Sequence, residues 1–366
     1  MNIKFRLAKK EDAPKLLEIE EKSFSSDCLS LRQFNYFINK ANSSLIIAYD
    51  KDNSGILGYA LILFHRGTSL ARLYSIAVAP EFRKFKVGLK LMKKIEDEAL
   101  EHGSTYIRLE VKTTNERAIN LYEELGYRKF GHKVNYYEDH EDAECYEKKI
   151  RKFESRPKIK VPYYHQKTEF TCGPSSLMMA MKAFDKNIQL KLSTEMQIWR
   201  EATTIFMTSG HGGCGPHGLA LAAKRRNFEV ELYLNSKAPL FIKGVRDKKK
   251  KDIIEIVQKE FEKELKQTNV KIYYDEYSFT TLKDILDSGG IPLVLISAYR
   301  LTETKAPHWI VITGIEEDFI YFHDPEIDDN QTPYDNMDIP VSKIEFEKMS
   351  KFGTGQLKSI VAIYSS

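Results

Sequence analysis

YHQKTEFTCGPSSLMMAMKAF, residues Tyr164 to Phe184, changes character at Cys172, from a polar, turn-like approach to a run of small and apolar residues. Proline is favoured in the first turn of a helix, so Cys172-Gly173-Pro174 predicts a helix start and SSLMMAMKAF its apolar body. A helix N-terminus presents unpaired N–H groups and partial positive charge, and an imidazolium nearby adds to it; together they favour a thiolate. A bare cysteine is otherwise a small, inert core residue. The same tripeptide recurs at Cys214-Gly215-Pro216, so it does not by itself decide between nucleophile and core.

The surrounding residues supply what amide attack needs. Gln166 stands six residues before Cys172, where its side-chain amide can join the Cys172 N–H as an oxyanion donor. Cys214 has Thr208 at that spacing and reads as a glycine-rich turn feeding the helix GLALAAKRR. Histidines in this half include His165, His211, His217, His308 and His323. His308 heads an apolar strand, HWIVI, and a turn of charged residues leads to a second strand ending His323-Asp324-Pro325. A hairpin centred near Glu316 and Glu317 places 308 opposite about 325, within a residue or two of Asp324. Asp324 would orient His308 and stabilise its charged form, and His323 is the alternative base.

Further helical signals lie at LSTEMQIWREA, PHGLALAAKRR and from Asp252 to about Lys266, and strands at PLVLISAY, HWIVITGI, DFIYFHDP and SIVAIYS. Helices first and strands last suit an α+β domain. The first half alternates: strand IKFRLA, helix EDAPKLLEIEEKSF, strands SLIIAYD, GILGYALILF and ARLYSIAV, helix LKLMKKIEDEAL, strand YIRLEV, helix RAINLYEEL. That pattern predicts an α/β layer with a mixed or largely antiparallel sheet. The expected domains are 1–150 and 161–366, joined by a charged linker, Arg151 to Lys160.

The length of 366 residues favours two domains or more. Net charge is only +4, which does not point to nucleic acid. The run Lys248 to Lys251 reads as a solvated loop. No apolar stretch approaches the roughly 20 residues that span a bilayer, and the expectation is a cytoplasmic protein without a membrane segment. Cys28, Cys145, Cys172 and Cys214 lack metal-ligand spacing, so no metal is expected.

In the first half, SIAVAPEFRKFKVGLKLMKKI is a strand, a proline-punctuated turn and a helix, an arrangement that serves either as an anion site or as an ordinary connection. With Asn115-Glu116-Arg117-Ala118-Ile119-Asn120-Leu121-Tyr122-Glu123-Glu124-Leu125-Gly126-Tyr127, which fits N-x-x-A-x-x-L-Y-x-x-L-G-F/Y, and the closing Asn135-Tyr136-Tyr137, it resembles the GNAT acetyltransferases, and within them the RimI-type protein N-terminal acetyltransferases. The resemblance covers about 3–150. It implies acetyl-CoA as acetyl donor, held by Ile76, Val78, the loop Arg83-Lys84-Phe85-Lys86-Val87-Gly88 and Asn115. Glu110 is implied as general base and Tyr122 as general acid. Lys86 departs from the family pattern: it replaces the loop's first glycine, so a side chain stands where backbone normally approaches pyrophosphate.

The order Gln166, Cys172-Gly173-Pro174-Ser175, His308, Asp324-Pro325 resembles papain-like cysteine peptidases, and more narrowly peptidase family C-thirty-nine, the bacteriocin-processing peptidases that cut after a double-glycine leader, with their cytosolic relatives. The resemblance covers about 161–366 and implies a Cys-His-Asp triad with a glutamine oxyanion donor. Together the halves imply a bifunctional enzyme: N-acetyltransfer to a peptide or protein amine, and thiolate-mediated peptide bond cleavage, on one peptide substrate if the fusion reflects a shared task. The competing reading is an acetyltransferase joined to an inert, peptide-binding module. A partner transporter is left open.

Overall fold

The computed structural model describes residues 2–52, 55–151, 160–203, 206–207, 210–242, 245, 247–327 and 333–365. The chain forms two compact units, Met1–Lys152 and Phe153–Ser366. Most of the expected linker, 152–159, lies outside the described residues.

The first unit contains β1 (Ile3–Leu7), α1 (Ala13–Ser23), α2 (Leu31–Asn39), β2 (Ser43–Asp50), β3 (Ile56–Phe64), β4 (Leu70–Val78), α3 (Val87–Glu101), β5 (Tyr106–Lys112), α4 (Glu116–Glu124), β6 (Arg128–Lys133) and β7 (Ala143–Lys149). Its seven strands lie in the order β1-β2-β3-β4-β5-β7-β6, antiparallel except for β4 and β5. This is the expected mixed sheet. Successive side chains point to opposite faces, so the apolar runs of β2 and β3 feed two cores: Ile46, Ala48 and Ala60 pack with α3, while Leu45, Ile47 and Tyr59 pack with α1 and α2. Sequence reading missed α2, which a capping box starts: Ser30 Oγ accepts from the Gln33 N–H and Gln33 Oε1 from the Ser30 N–H.

Pairing of β4 with β5 runs from Leu70–Tyr106 to Leu73–Leu109 and stops, although the strands continue to Val78 and Lys112. The two therefore part over the second half of β4, ahead of the loop into α3.

The second unit contains α5 (Cys172–Phe184), α6 (Leu192–Ala202), β8 (Phe206–Met207), β9 (Gly210–His211), α7 (Pro216–Lys224), β10 (Glu229–Leu234), α8 (Lys248–Leu265), β11 (Lys271–Tyr273), α9 (Phe279–Asp287), β12 (Ile291–Ser297), α10 (Tyr299–Thr302), β13 (Pro307–Ile315), β14 (Phe319–His323), β15 (Ile339–Ser342), α11 (Lys343–Met349) and β16 (Ser359–Tyr364). The main sheet runs β11-β10-β16-β12-β13-β14-β15. One face packs on α5 and α7 through Leu293, Leu295, Trp309, Val311 and Val361. The other, with Val294, Ile296, Ile310 and Ile312, packs on α9 and α11.

Two expectations need correcting. Helices and strands interleave rather than separate, because β10 and β11 precede the final strands and extend the same sheet. The lysine run is the first turn of α8, not a loop: Asp247 accepts from the Lys250 N–H at 3.0 Å, and this cap satisfies a donor that four cations beside a positive helix end would leave exposed.

Candidate functional site

In the second unit Cys172 opens α5, and its residues from Cys172 to Met181 are all buried. The helix begins two residues before the proline-based expectation, with Pro174 in its third position, still inside the turn whose N–H groups need no intrahelical partner. Gly173 is closely approached: a Cβ there would lie 3.2 Å from Leu219 Cδ1 and Trp309 Cδ1, and 3.3 Å from Cys214 Cβ, so these side chains would have to give slightly. Ser176 Oγ donates to the Trp309 carbonyl at 3.1 Å, which ties α5 to the strand residue beside His308.

His308, Asp324 and Cys172 are 4%, 7% and 9% exposed. His308 Nε2 and Asp324 Oδ1 are 2.7 Å apart, and the Cys172 thiol lies within electrostatic reach of the ring. Burial works against the imidazolium, but the Asp324 charge and hydrogen bond, with the Cys172 contact, outweigh it and hold His308 well above the usual imidazole range. The expected hairpin register is off by one. A bulge at Thr313 shifts β13 against β14, pairing Val311 with His323 and Gly314 with Tyr321, and the histidine reaches Asp324 diagonally beyond the ladder.

Gln166 lies beside the same strand ends: its backbone N–H donates to the Pro325 carbonyl at 2.8 Å. Its Oε1 is buried and makes no hydrogen bond. Glu326, which sequence reading missed, brings Oε2 to 3.7 Å from His308 Nδ1. Nothing in the sequence marks it beyond its nearness to Asp324. Glu195 was missed too, since within LSTEMQIW it reads as an ordinary polar helix residue.

The alternatives sit elsewhere. His323 is locked at both nitrogens, with Nε2 facing the Val161 carbonyl at 3.0 Å and Nδ1 accepting from the Asp338 N–H at 3.0 Å. His165 lies against Lys167, with its pKa lowered by burial and by that cation. For His211 the side chain lies outside the description, as does Thr208. Burial pushes the Cys214 thiol well up, with Cys172 nearby adding to the effect; its Sγ faces the Trp199 carbonyl at 4.0 Å.

His217 is buried and pushed down to about 4, despite Glu262. The unfolded chain binds this proton from about pH 6.5 downward and the folded chain only near 4, so the stability contributed by neutral His217 is lost as pH falls. Between pH 7 and 5 the loss is expected to be about 2 kcal/mol. Urea midpoints across that range test this, and His217→Phe should flatten the profile.

In the first unit, Glu110 on β5 accepts from Arg72 Nε at 2.9 Å and from Lys133 Nζ at 2.7 Å, one cation on each oxygen. Tyr122 is buried, and burial pushes its phenol above the ordinary range, so it stays a proton donor at neutral pH. This loosens the expected match with a thiol pKa. Tyr137, also missed, has a phenol raised first by burial and then by Tyr136, Glu110 and Tyr122; it lies within electrostatic reach of both candidates. Asn115 caps α4, accepting from the Ala118 N–H at 3.2 Å. Ile76 and Val78 lie on the parted stretch of β4. The loop Arg83 to Gly88 follows: Arg83 Nε donates to the Val78 carbonyl at 3.2 Å, and Lys84 and Phe85 are exposed. Val87 and Gly88 begin α3.

Lys86 has φ of 56°, the left-handed region that disfavours side chains. Its backbone has therefore kept the glycine-like conformation. Lys86→Gly is expected to stabilise the unit by about 1 kcal/mol, read as a higher denaturation midpoint.

A model of the Peptidase_C39 like family matches residues 161–364 and one of the Acetyltransferase (GNAT) family residues 13–127. Among curated proteins, the ribosomal protein bS18-alanine N-acetyltransferase of Salmonella typhimurium is 40% identical over 76 residues, 20% of this chain and 51% of that protein. The thialysine N-epsilon-acetyltransferase of Bos taurus is 39% identical over 74 residues, 19% and 44%. The chain thus spans about half the length of the curated relatives it matches. Among solved structures, Ard1 from Thermoplasma volcanium aligns with 42% of this chain and 100% of its own at 22% identity, TM-score 0.39. None of the described helices is long and apolar enough to cross a membrane, and no metal-holding group of side chains occurs among the described residues. With a family model covering more than half of its length, this chain belongs to the Peptidase_C39 like family and carries a GNAT acetyltransferase domain ahead of that region.

Proposed function

We propose that the protein is a two-site enzyme, with an acetyl-CoA-dependent N-acetyltransferase in the first unit and a thiol peptidase in the second. The observation that carries the peptidase reading is the buried His308–Asp324 contact at 2.7 Å, with the buried Cys172 thiol within electrostatic reach of the ring. In this mechanism His308 takes the Cys172 proton, the thiolate adds to the peptide carbonyl carbon, and Gln166 donates to the resulting oxyanion. His308 then protonates the leaving amine. The tie of the Gln166 N–H to the Pro325 carbonyl at 2.8 Å supports this, since it holds Gln166 beside Asp324.

In the first unit the acetyl-CoA pyrophosphate would lie against the loop from Arg83 to Gly88, where α3 begins. GNAT acetyltransferases use acetyl-CoA, and the N-terminus of α3 behind this loop supports that placement. Glu110, through the lone pairs its two cations leave, would receive the proton of the attacking ammonium, and Tyr122 would protonate the departing thiolate. The relatives are named for the amine of an alanine residue and for the Nε amine of thialysine, at similar identity, and the acceptor would accordingly be an amine of one of these classes.

Cleavage exposes an α-amine that the first unit can acetylate, which is why one peptide substrate would serve both units. The full-length protein and its Cys172→Ala variant, incubated with acetyl-CoA and amine-blocked peptides, test the coupling by mass spectrometry. The proposal expects acetylated new N-termini with the wild type only. Cleavage without acetylation would separate the two activities, and no cleavage of the blocked peptides alongside intact acetylation of an unblocked peptide would favour the second unit as an inert, peptide-binding module.

A further inference from the structure

Glu195, on the first turns of α6, is 0% exposed and is surrounded by donors from one short segment. Its Oε2 accepts from the Tyr164 hydroxyl at 2.8 Å. Its Oε1 accepts from the Lys167 N–H at 2.9 Å and from the Thr171 hydroxyl. Thr168 and Thr171 hydroxyls are 2.8 Å apart, so a proton donated by Thr168 leaves that of Thr171 for the carboxylate. The three donors bracket Gln166 on both sides and end at the residue before Cys172. A buried charge is stable only when its lone pairs are met, and three donors here meet them.

We propose that Glu195 is a positioning residue that holds the segment from Tyr164 to Thr171 so that the Gln166 amide stands at the oxyanion position beside Cys172. The carboxylate touches no reacting atom. It acts through the loop: the second anchor of that loop, the Gln166 N–H on the Pro325 carbonyl at 2.8 Å, fixes the backbone of Gln166 to the Asp324 side. Glu195 fixes the residues flanking it to the helix side. Without the carboxylate, three donors lose their common acceptor and the Gln166 amide loses its fixed distance from Cys172, which is what preorganised oxyanion stabilisation requires. This rests on the thiol-peptidase reading above.

The test separates reactions at Cys172 that develop an oxyanion from those that do not. Acetylglycylglycinal is the first probe: the Cys172 thiolate adds to the aldehyde carbon, and the alkoxide formed takes the His308 proton to give a hemithioacetal. Iodoacetamide is the second, since displacement of iodide by the thiolate creates no oxyanion. In the full-length protein, Glu195→Gln is expected to weaken aldehyde binding by about 10- to 100-fold while alkylation of Cys172 stays within about twofold of wild type. Gln166→Ala should weaken aldehyde binding similarly, and the double variant should be no weaker than either alone. Tyr164→Phe, which removes one donor and keeps the carboxylate, should lose about threefold in the same direction, and it carries the test if Glu195→Gln does not fold. Unchanged aldehyde binding in a folded Glu195→Gln protein, or losses that multiply in the double variant, overturns the inference. A wild type that neither binds the aldehyde nor alkylates faster at Cys172 than at Cys28 overturns the peptidase reading, and the inference with it.

Discussion

Changing His308 to alanine is expected to lower the rate of iodoacetamide alkylation at Cys172 by about tenfold at pH 6 and peptide cleavage by about 10³-fold. The two figures differ for a physical reason. An ordinary thiol is ionised to only about 0.3% at pH 6, whereas one paired with an imidazolium is largely ionised. That gain exceeds 100-fold, but a less basic thiolate is also a weaker nucleophile, which returns about an order of magnitude. Cleavage additionally needs His308 to protonate the leaving amine, and alkylation does not. The sign of the pH dependence follows from the raised His308 pKa. From pH 8 to 6 the raised His308 keeps its positive charge beside the thiol, so wild type should alkylate faster at Cys172 than His308→Ala across that range. Peptide-mapped labelling across Cys28, Cys145, Cys172 and Cys214 reads this directly. Equal rates in wild type and variant would refute an activated thiolate and leave the inert-module reading of the second unit.

The second large effect is on stability. Gly218, in α7, faces the end of α6 so closely that a Cβ there would lie 2.5 Å from the Ala202 carbonyl oxygen, 2.7 Å from its Cα and 2.9 Å from its carbonyl carbon. All three are backbone atoms, so no side-chain rotation relieves the clash and the helices must separate. Gly218→Ala is expected to cost about 3 kcal/mol, a fall of roughly 6–12 °C in midpoint for a unit of this size. Gly213, in the glycine-rich turn that precedes α7, has nothing within 4 Å of the equivalent position. Gly213→Ala should change stability by less than about 0.5 kcal/mol. Thermal scans of the two variants form the comparison, and similar midpoints would contradict the close helix packing.

That contrast bears on how the repeated Cys-Gly-Pro is read. At the level of sequence both copies are helix-start signals, and both do start helices: Cys172 is the first residue of α5, and Pro216 the first of α7. Local chemistry marks that much because proline and a helix N-terminus fit wherever they occur. The copies differ in what meets them. The first meets His308 from a strand more than a hundred residues on, while the second meets the Trp199 carbonyl and the Trp309 indole, whose Nε1 donates to the Cys214 carbonyl at 3.0 Å. The upstream Gln166 and the His308–Asp324 spacing were legible hints of this difference. The Thr313 bulge was not, because its cause is long-range sheet geometry.

Much of the first unit could be read locally. Strand and helix periods, the Asn115 cap and the run from Asn115 to Tyr127 depend on neighbours along the chain. Helix α2 and strands β6, β7, β10 and β11 escaped because they are short or polar and gain stability from sheet pairing and packing rather than from their own pattern. Residue type and spacing alone carry the two-unit organisation, the mixed sheet of the first unit, and the identity of Cys172, His308, Asp324 and Gln166 as candidates. Only the tertiary structure decided that His323 is locked by two backbone partners, that Glu110 carries a cation on each oxygen, that Lys86 retains a left-handed backbone, and that a buried glutamate on a separate helix gathers the donors flanking Gln166. Apart from the local Lys86 backbone, each of these depends on which groups from distant parts of the chain come within 3–4 Å of one another, where hydrogen bonds and desolvation act, and chain spacing does not encode that distance.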